Sequence, residues 1–102
     1  MIQRRHPPAV RRDEILTAAL ALAEQSSYKT ISRAQIAKAV GVSEAAIQYH
    51  FHTMARLRGD LMRAAIKREC LPVIAQGLVA KDARAIRSSN AELRQRALGS
   101  II

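Results

Sequence analysis

Apolar residues recur along this chain at helical intervals. Ile15, Ala18, Ala19, Leu22 and Ala23 fall at i, i+3, i+4, i+7 and i+8, which predicts a first helix over residues 12–25. Asp13 and Glu14 then stand in its first turn, where acids complement the helix dipole. Ser26-Ser27 breaks the period. Ser32, with Gln35 three residues on, forms a capping-box pattern, and Ile36, Ala37 and Val40 supply the apolar face of a second helix. Gly41 follows directly and is free to take the left-handed conformation that ends a helix sharply. Ser43 caps a third helix from Glu44 to about Phe51. Helix, glycine turn and helix therefore occupy only residues 33–51, the arrangement of a helix-turn-helix. Its junction is expected to bury Ala37, Val42 and Ile47.

Thr53 is a further capping hydroxyl. The stripe Leu57, Leu61, Ala64, Ala65 predicts a fourth helix reaching Leu71, where Pro72 ends or kinks it. Beyond it, residues 73–80 read as helical. Ala83, Ile86, Asn90, Leu93 and Ala97 are spaced 3, 4, 3, 4, which favours one continuous helix over residues 82–98. The alternative is a capping box of Ser89 with Glu92 that starts a new helix at Asn90. The first option buries Asn90 at a helix seam and the second exposes it at a helix start. Ile74, Leu78, Val79, Ile86, Leu93 and Leu98 exceed what four short helices should bury within one chain, so the segment is expected to pair two copies.

Composition agrees with an all-α fold. Of 102 residues, 49% are hydrophobic, but 19 are Ala, five Val and only three aromatic, so helix formers outweigh strand formers. The lone Cys70 has no partner for an internal disulfide and suits a small core residue. No run approaches the ~18 apolar residues of a membrane helix, and no apolar stretch of signal-peptide type follows the basic N-terminus. A cytoplasmic protein is expected.

Charge narrows the partner. The formal net charge is +9, and residues 1–12 carry Arg4, Arg5, Arg11 and Arg12 without an acid. With His6-Pro7-Pro8 barring a helix there, residues 1–10 read as a flexible basic arm. Residues 11–71 are then the helix-turn-helix domain, and residues 72–102 a helical dimerisation segment. A cationic arm on a compact domain suits a polyanion. His50-x-His52 has no carboxylate or thiolate beside it and makes a poor metal site. No nucleophile–base–orienter set and no glycine-rich phosphate loop can be assembled, so neither an enzyme nor a cofactor is expected.

The stretch from Tyr28 to Leu57 resembles the DNA-binding domain of the TetR family of bacterial transcription regulators. Ser32, Ile36-Ala37, Gly41-Val42-Ser43, Ile47, His50-Phe51, Thr53 and Leu57 carry the resemblance, which extends over about residues 10–68. It implies a third helix that enters the major groove and a homodimer on a palindromic operator in double-stranded DNA. The family's usual recognition-helix Tyr is Gln48 here, and Tyr49 follows one residue later. Its usual Lys at the start of the fourth helix is Met54, and a frequent Gly or Pro near the start of the third helix is Ala45. Family members are typically about twice this length because a C-terminal domain binds an inducer, so no small-molecule inducer is expected here.

The third helix should expose Glu44, Ala45, Ala46, Gln48, Tyr49 and His50. Gln48 suits a bidentate pair with adenine, Ala45 and Ala46 a thymine methyl, Glu44 a cytosine amine, and Tyr49 a phosphate. His50 suits a phosphate or packing at the helix end. Ser32, Arg33, Lys38, Ser43 and Thr53 are candidates to anchor the backbone, with Arg56 and Arg58 further candidates, and Arg4 and Arg5 to reach the adjacent minor groove. A repressor is the favoured reading. The alternatives are an architectural or recombination accessory protein on DNA, and a basic amphipathic protein on RNA or a membrane surface.

Overall fold

The computed structural model describes residues 7–100, and among them the chain is entirely helical, without a strand. The helices are α1 (Pro8–Gln25), α2 (Arg33–Val40), α3 (Glu44–Phe51), α4 (Met54–Lys67), α5 (Leu71–Val79), α6 (Ala83–Ser88) and α7 (Ala91–Gly99). One hydrophobic cluster joins all seven. Ile15, Ala19 and Ala23 of α1 meet Ile36 of α2, Ile47 and Phe51 of α3, and Leu57, Leu61 and Ala65 of α4. Met62, Val73, Ile74, Ala85, Leu93 and Ala97 continue the same cluster into the last three helices.

Helix starts follow the caps read from the sequence. The Ser32 hydroxyl accepts the Gln35 amide (3.1 Å) while the Gln35 side chain accepts the Ser32 amide (2.9 Å), a complete capping box. Ser43 and Thr53 accept the amides of Ala46 and Arg56, each at 3.1 Å. The first helix departs from expectation by beginning four residues early. Pro8 is its first residue, where a fixed φ suits the helix and the missing N–H would have had no partner. Asp13 and Glu14 consequently lie past the first turn. They face Arg68 (2.5 Å) and Arg11 (3.7 Å) instead of the helix N-terminus.

Helix ends explain two further departures. Gly41 takes φ 83°, ψ 35°, and the Val42 amide reaches back to the Ala37 carbonyl at 3.0 Å. The same device recurs without glycine. Glu69 (φ 55°) ends α4, with the Cys70 amide on the Ala65 carbonyl at 2.7 Å, and Lys81 (φ 58°) ends α5, with Asp82 on Gly77 at 2.8 Å. α4 thus stops at Lys67, short of Leu71, and Pro72 lies in the first turn of α5 as a helix starter. The continuous helix expected over residues 82–98 is likewise broken. Ser89 is extended (ψ 144°) and its hydroxyl donates to the Ala85 carbonyl, while the exposed Asn90 caps α7 by accepting the Leu93 amide at 2.7 Å. Asn90 and not Ser89 is the cap, and the 3-4-3-4 spacing is carried by two short helices packed on α5.

Folding back buries two of the six large apolar residues expected to pair two copies and half-buries a third, Leu78. Ile74 and Leu93 are buried, and Val79, Ile86 and Leu98 remain exposed. Two glycines admit this packing. A Cβ on Gly77 would stand 2.8 Å from that of Ala85, and one on Gly59 would meet the Arg84 guanidinium at 2.8 Å. Polar contacts tie the last helices to the turn between α1 and α2. Tyr28 is buried and donates its hydroxyl to Asp82 (3.0 Å), and burial with that carboxylate beside it pushes its pKa up to about 12. Gln76 accepts the Tyr28 amide and donates to the Ala23 carbonyl, both at 2.9 Å.

Candidate nucleic-acid interface

The third helix presents the face its sequence implies. Ile47 and Phe51 enter the core, while Glu44, Ala45, Gln48 and Tyr49 are exposed and Ala46 and His50 half-buried. Tyr49 is 73% exposed, the most open of the large apolar side chains, with its ring edge-on to His50 at 5.2 Å. Ala45, Gln48, Tyr49, His50 and His52 line one shallow concavity. A glutamine amide and a phenol beside a small residue offer donors, acceptors and space for a methyl group, the chemistry of base edges in a major groove.

Around this face stand the caps and cations. Ser32, Ser43 and Thr53 are exposed, and each hydroxyl oxygen accepts a backbone amide. A hydroxyl so engaged keeps its own O–H free to donate, which suits a phosphate oxygen arriving at a helix N-terminus. Arg33, the first residue of α2, lines one crevice with Gln48, His52 and Thr53, which brings α2, α3 and the start of α4 together. Lys38 and Arg56 are exposed. Arg58 turns inward instead. It is half-buried, its guanidinium donates to the Ile31 carbonyl at 3.5 Å, and its Nε is buried without a hydrogen-bond partner. Arg4 and Arg5 lie outside the described residues.

His50 is held as a neutral imidazole. Partial burial, with Arg12 and then Arg11 nearby, lowers its pKa from the usual 6.5, so near neutral pH it offers hydrogen bonds and no charge. Its ring is half-buried at the helix end, edge-on to Tyr49. His52, next but one, adopts φ 66°, ψ −58°, and the Thr53 amide bonds to the Phe51 carbonyl at 2.7 Å. This is a γ-turn, a strained conformation for a residue with a Cβ.

One residue of the site escapes the charge pattern. Charge assigns Arg12 to the basic end of the chain, yet its guanidinium donates to the His50 carbonyl (2.9 Å), pairs with Asp60 and covers the Phe51 ring at 4.3 Å. The signal available was periodicity, because Arg12 precedes Ile15 and Ala19 by three and seven residues and shares their buried stripe. Cys70 is half-buried, with Sγ 2.9 Å from Glu24, and burial first of all raises its thiol to about 11. It is an unreactive thiol at the α4–α5 turn.

No curated protein and no solved structure matches this chain. The family model described as bacterial regulatory proteins, tetR family, matches residues 15–61. That span runs from Ile15 in α1 to Leu61 in α4 and contains α2, α3 and the start of α4, with Arg12 three residues ahead of it. Over residues 15–61 these helices are thus similar to the helix-turn-helix DNA-binding domain of the bacterial regulatory proteins of the tetR family.

Proposed function

We propose that the protein is a repressor that binds a palindromic operator as a homodimer in the bacterial cytoplasm. The observation that carries this reading is the exposed set Glu44, Ala45, Gln48 and Tyr49 on α3, flanked by Arg33, Lys38 and the hydroxyl caps. Gln48 and Ala45 read base edges, Tyr49 and the caps hold phosphates, and the N-terminal Arg4 and Arg5 add affinity in the minor groove. A two-fold dimer sets two such helices about 34–36 Å apart, or a multiple of that, which fixes the half-site spacing.

Val79 (67% exposed), Ile86 and Leu98 are the large apolar side chains left outside the core on α5, α6 and α7, and they are the residues offered for pairing. The concavity between α1 and α4 is walled mostly by charged side chains, Arg12, Asp13, Asp60, Arg63, Lys67 and Arg68, with Leu16 and Ala64 its apolar lining. Such charged walls are unlike those of a drug-sized apolar site, and control by protein concentration or by competition at the operator, with no inducer, fits them better. The test is selection of bound duplexes from random DNA, with sedimentation of the free protein. A short palindrome and a dimer are expected. Sequence-blind binding that grows with duplex length would favour an architectural role instead.

A further inference from the structure

We propose that Arg12 is the positioning residue of the third helix, holding its end against α1 and α4 so that its base-reading face keeps one orientation. This rests on the DNA-binding reading above. α3 is only eight residues long and buries just Ile47 and Phe51, too little to fix its angle unaided. Its C-terminal end is where control is needed, because the chain leaves it through the strained turn at His52. Strain of that kind persists only where neighbouring contacts over-determine the backbone.

Arg12 supplies those contacts from one side chain. It caps the His50 carbonyl, one of the last of α3, where a cation also complements the helix dipole. Its guanidinium lies over the ring of Phe51, the last residue of the helix, and Asp60 of α4 pairs with that same guanidinium. Asp60 is itself fixed by Arg63 at 2.7 Å, so α1, α3 and α4 are joined at one point. A planar fork can make these contacts together, whereas an ammonium offers a point charge without separated donors or a flat face to lay on the ring.

Positioning and phosphate contact leave different signatures. A duplex selected by the wild-type protein and a scrambled duplex are titrated with wild type, Arg12→Ala and Arg12→Lys across a salt series, with circular dichroism confirming helix content. Both variants should lose about tenfold in the ratio of selected to scrambled affinity, as when a base contact is misplaced. Affinity for the scrambled duplex and the slope of log affinity against log salt should stay unchanged. Equal losses on both duplexes, with the slope reduced by about 0.9, would make Arg12 a phosphate contact and overturn the proposal. So would an unchanged ratio in Arg12→Lys, the variant that keeps the charge facing Asp60 should Arg12→Ala not fold. A wild-type protein without any preferred sequence would sink the DNA reading and this role with it. A preference that both variants retain would sink the role alone.

Discussion

At the scale of single residues, backbone conformation separates positions that look alike in sequence. Gly41, Glu69 and Lys81 end three helices in the same left-handed region. Glycine enters it freely, whereas a side chain raises its energy by roughly 1–2 kcal/mol. Gly41→Ala should therefore lower stability by about 1 kcal/mol, since its Cβ meets nothing within 4 Å and conformation alone is at issue. Lys81→Gly should raise stability by up to about 1 kcal/mol, the relief of strain outweighing the added freedom of the unfolded chain. Chemical denaturation of the two variants reads both signs. His50 gives a pH effect. Above pH 6.5 its imidazole is neutral in both states, but below it the unfolded chain takes up the proton first, so stability falls until the pH passes the lowered folded value. A wild-type protein should show this slope just below pH 6.5, and His50→Gln should lack it. Only the first of the three left-handed caps was legible in the sequence, because glycine announces the conformation and Glu or Lys does not.

Between helices, the closest approaches decide what can change. Gly77 lets α5 meet Ala85 of α6 and Met62 of α4, with a Cβ there falling 2.8 Å from Ala85 Cβ and 2.5 Å from the Met62 methyl. The methionine can swing aside but the Ala85 Cβ cannot without moving α6. Gly77→Ala should cost about 1–3 kcal/mol despite its better helix propensity, and Gly77→Ala with Ala85→Gly should recover part of the loss in thermal melts. The starts of α2, α3 and α4 were readable because a hydroxyl cap falls at each, with a glycine stop after α2 and the apolar period between them. Later elements were not. The 3-4-3-4 spacing of residues 83–97 is satisfied equally by one helix or by two short ones, and the buried Ser89 hydroxyl that stops α6 gives no periodic signal. Pro72 misled for a related reason, since a proline that ends one helix is well suited to begin the next.

Across the whole molecule, the helix-turn-helix and the last thirty residues share one core. Tyr28, Gln76 and Asp82 join the α1–α2 turn to α5 and α6, while Val73, Ile74 and Leu93 fill the space beneath α4. Ending the chain after Leu71 removes Val73, Ile74, Gln76, Asp82 and Leu93 together and takes from Tyr28 both its partners, so the shortened protein should lose cooperative melting and helix content, not merely the proposed pairing. A truncated protein that melts cooperatively near the wild-type temperature would show that the first four helices stand alone. The exposed face of α3 was the most legible feature, because exposed positions follow from the stripe of Ile47 and Phe51. The inward turns of Arg12 and Arg58 were not legible from charge, since a count of arginines does not distinguish a phosphate contact from a strut.

The proposed function places base discrimination on α3 and general attraction on the cations around it. It is tested most directly by comparing Gln48→Ala with Lys38→Ala on duplexes selected by the wild-type protein and on single-base variants of them, across a salt series. Gln48→Ala should relax discrimination at one or two base pairs of each half-site, by about 1–3 kcal/mol each, with the salt slope unchanged. Lys38→Ala should weaken every duplex alike and reduce the slope by about 0.9. A Gln48→Ala protein that retains the full wild-type sequence preference would contradict the account.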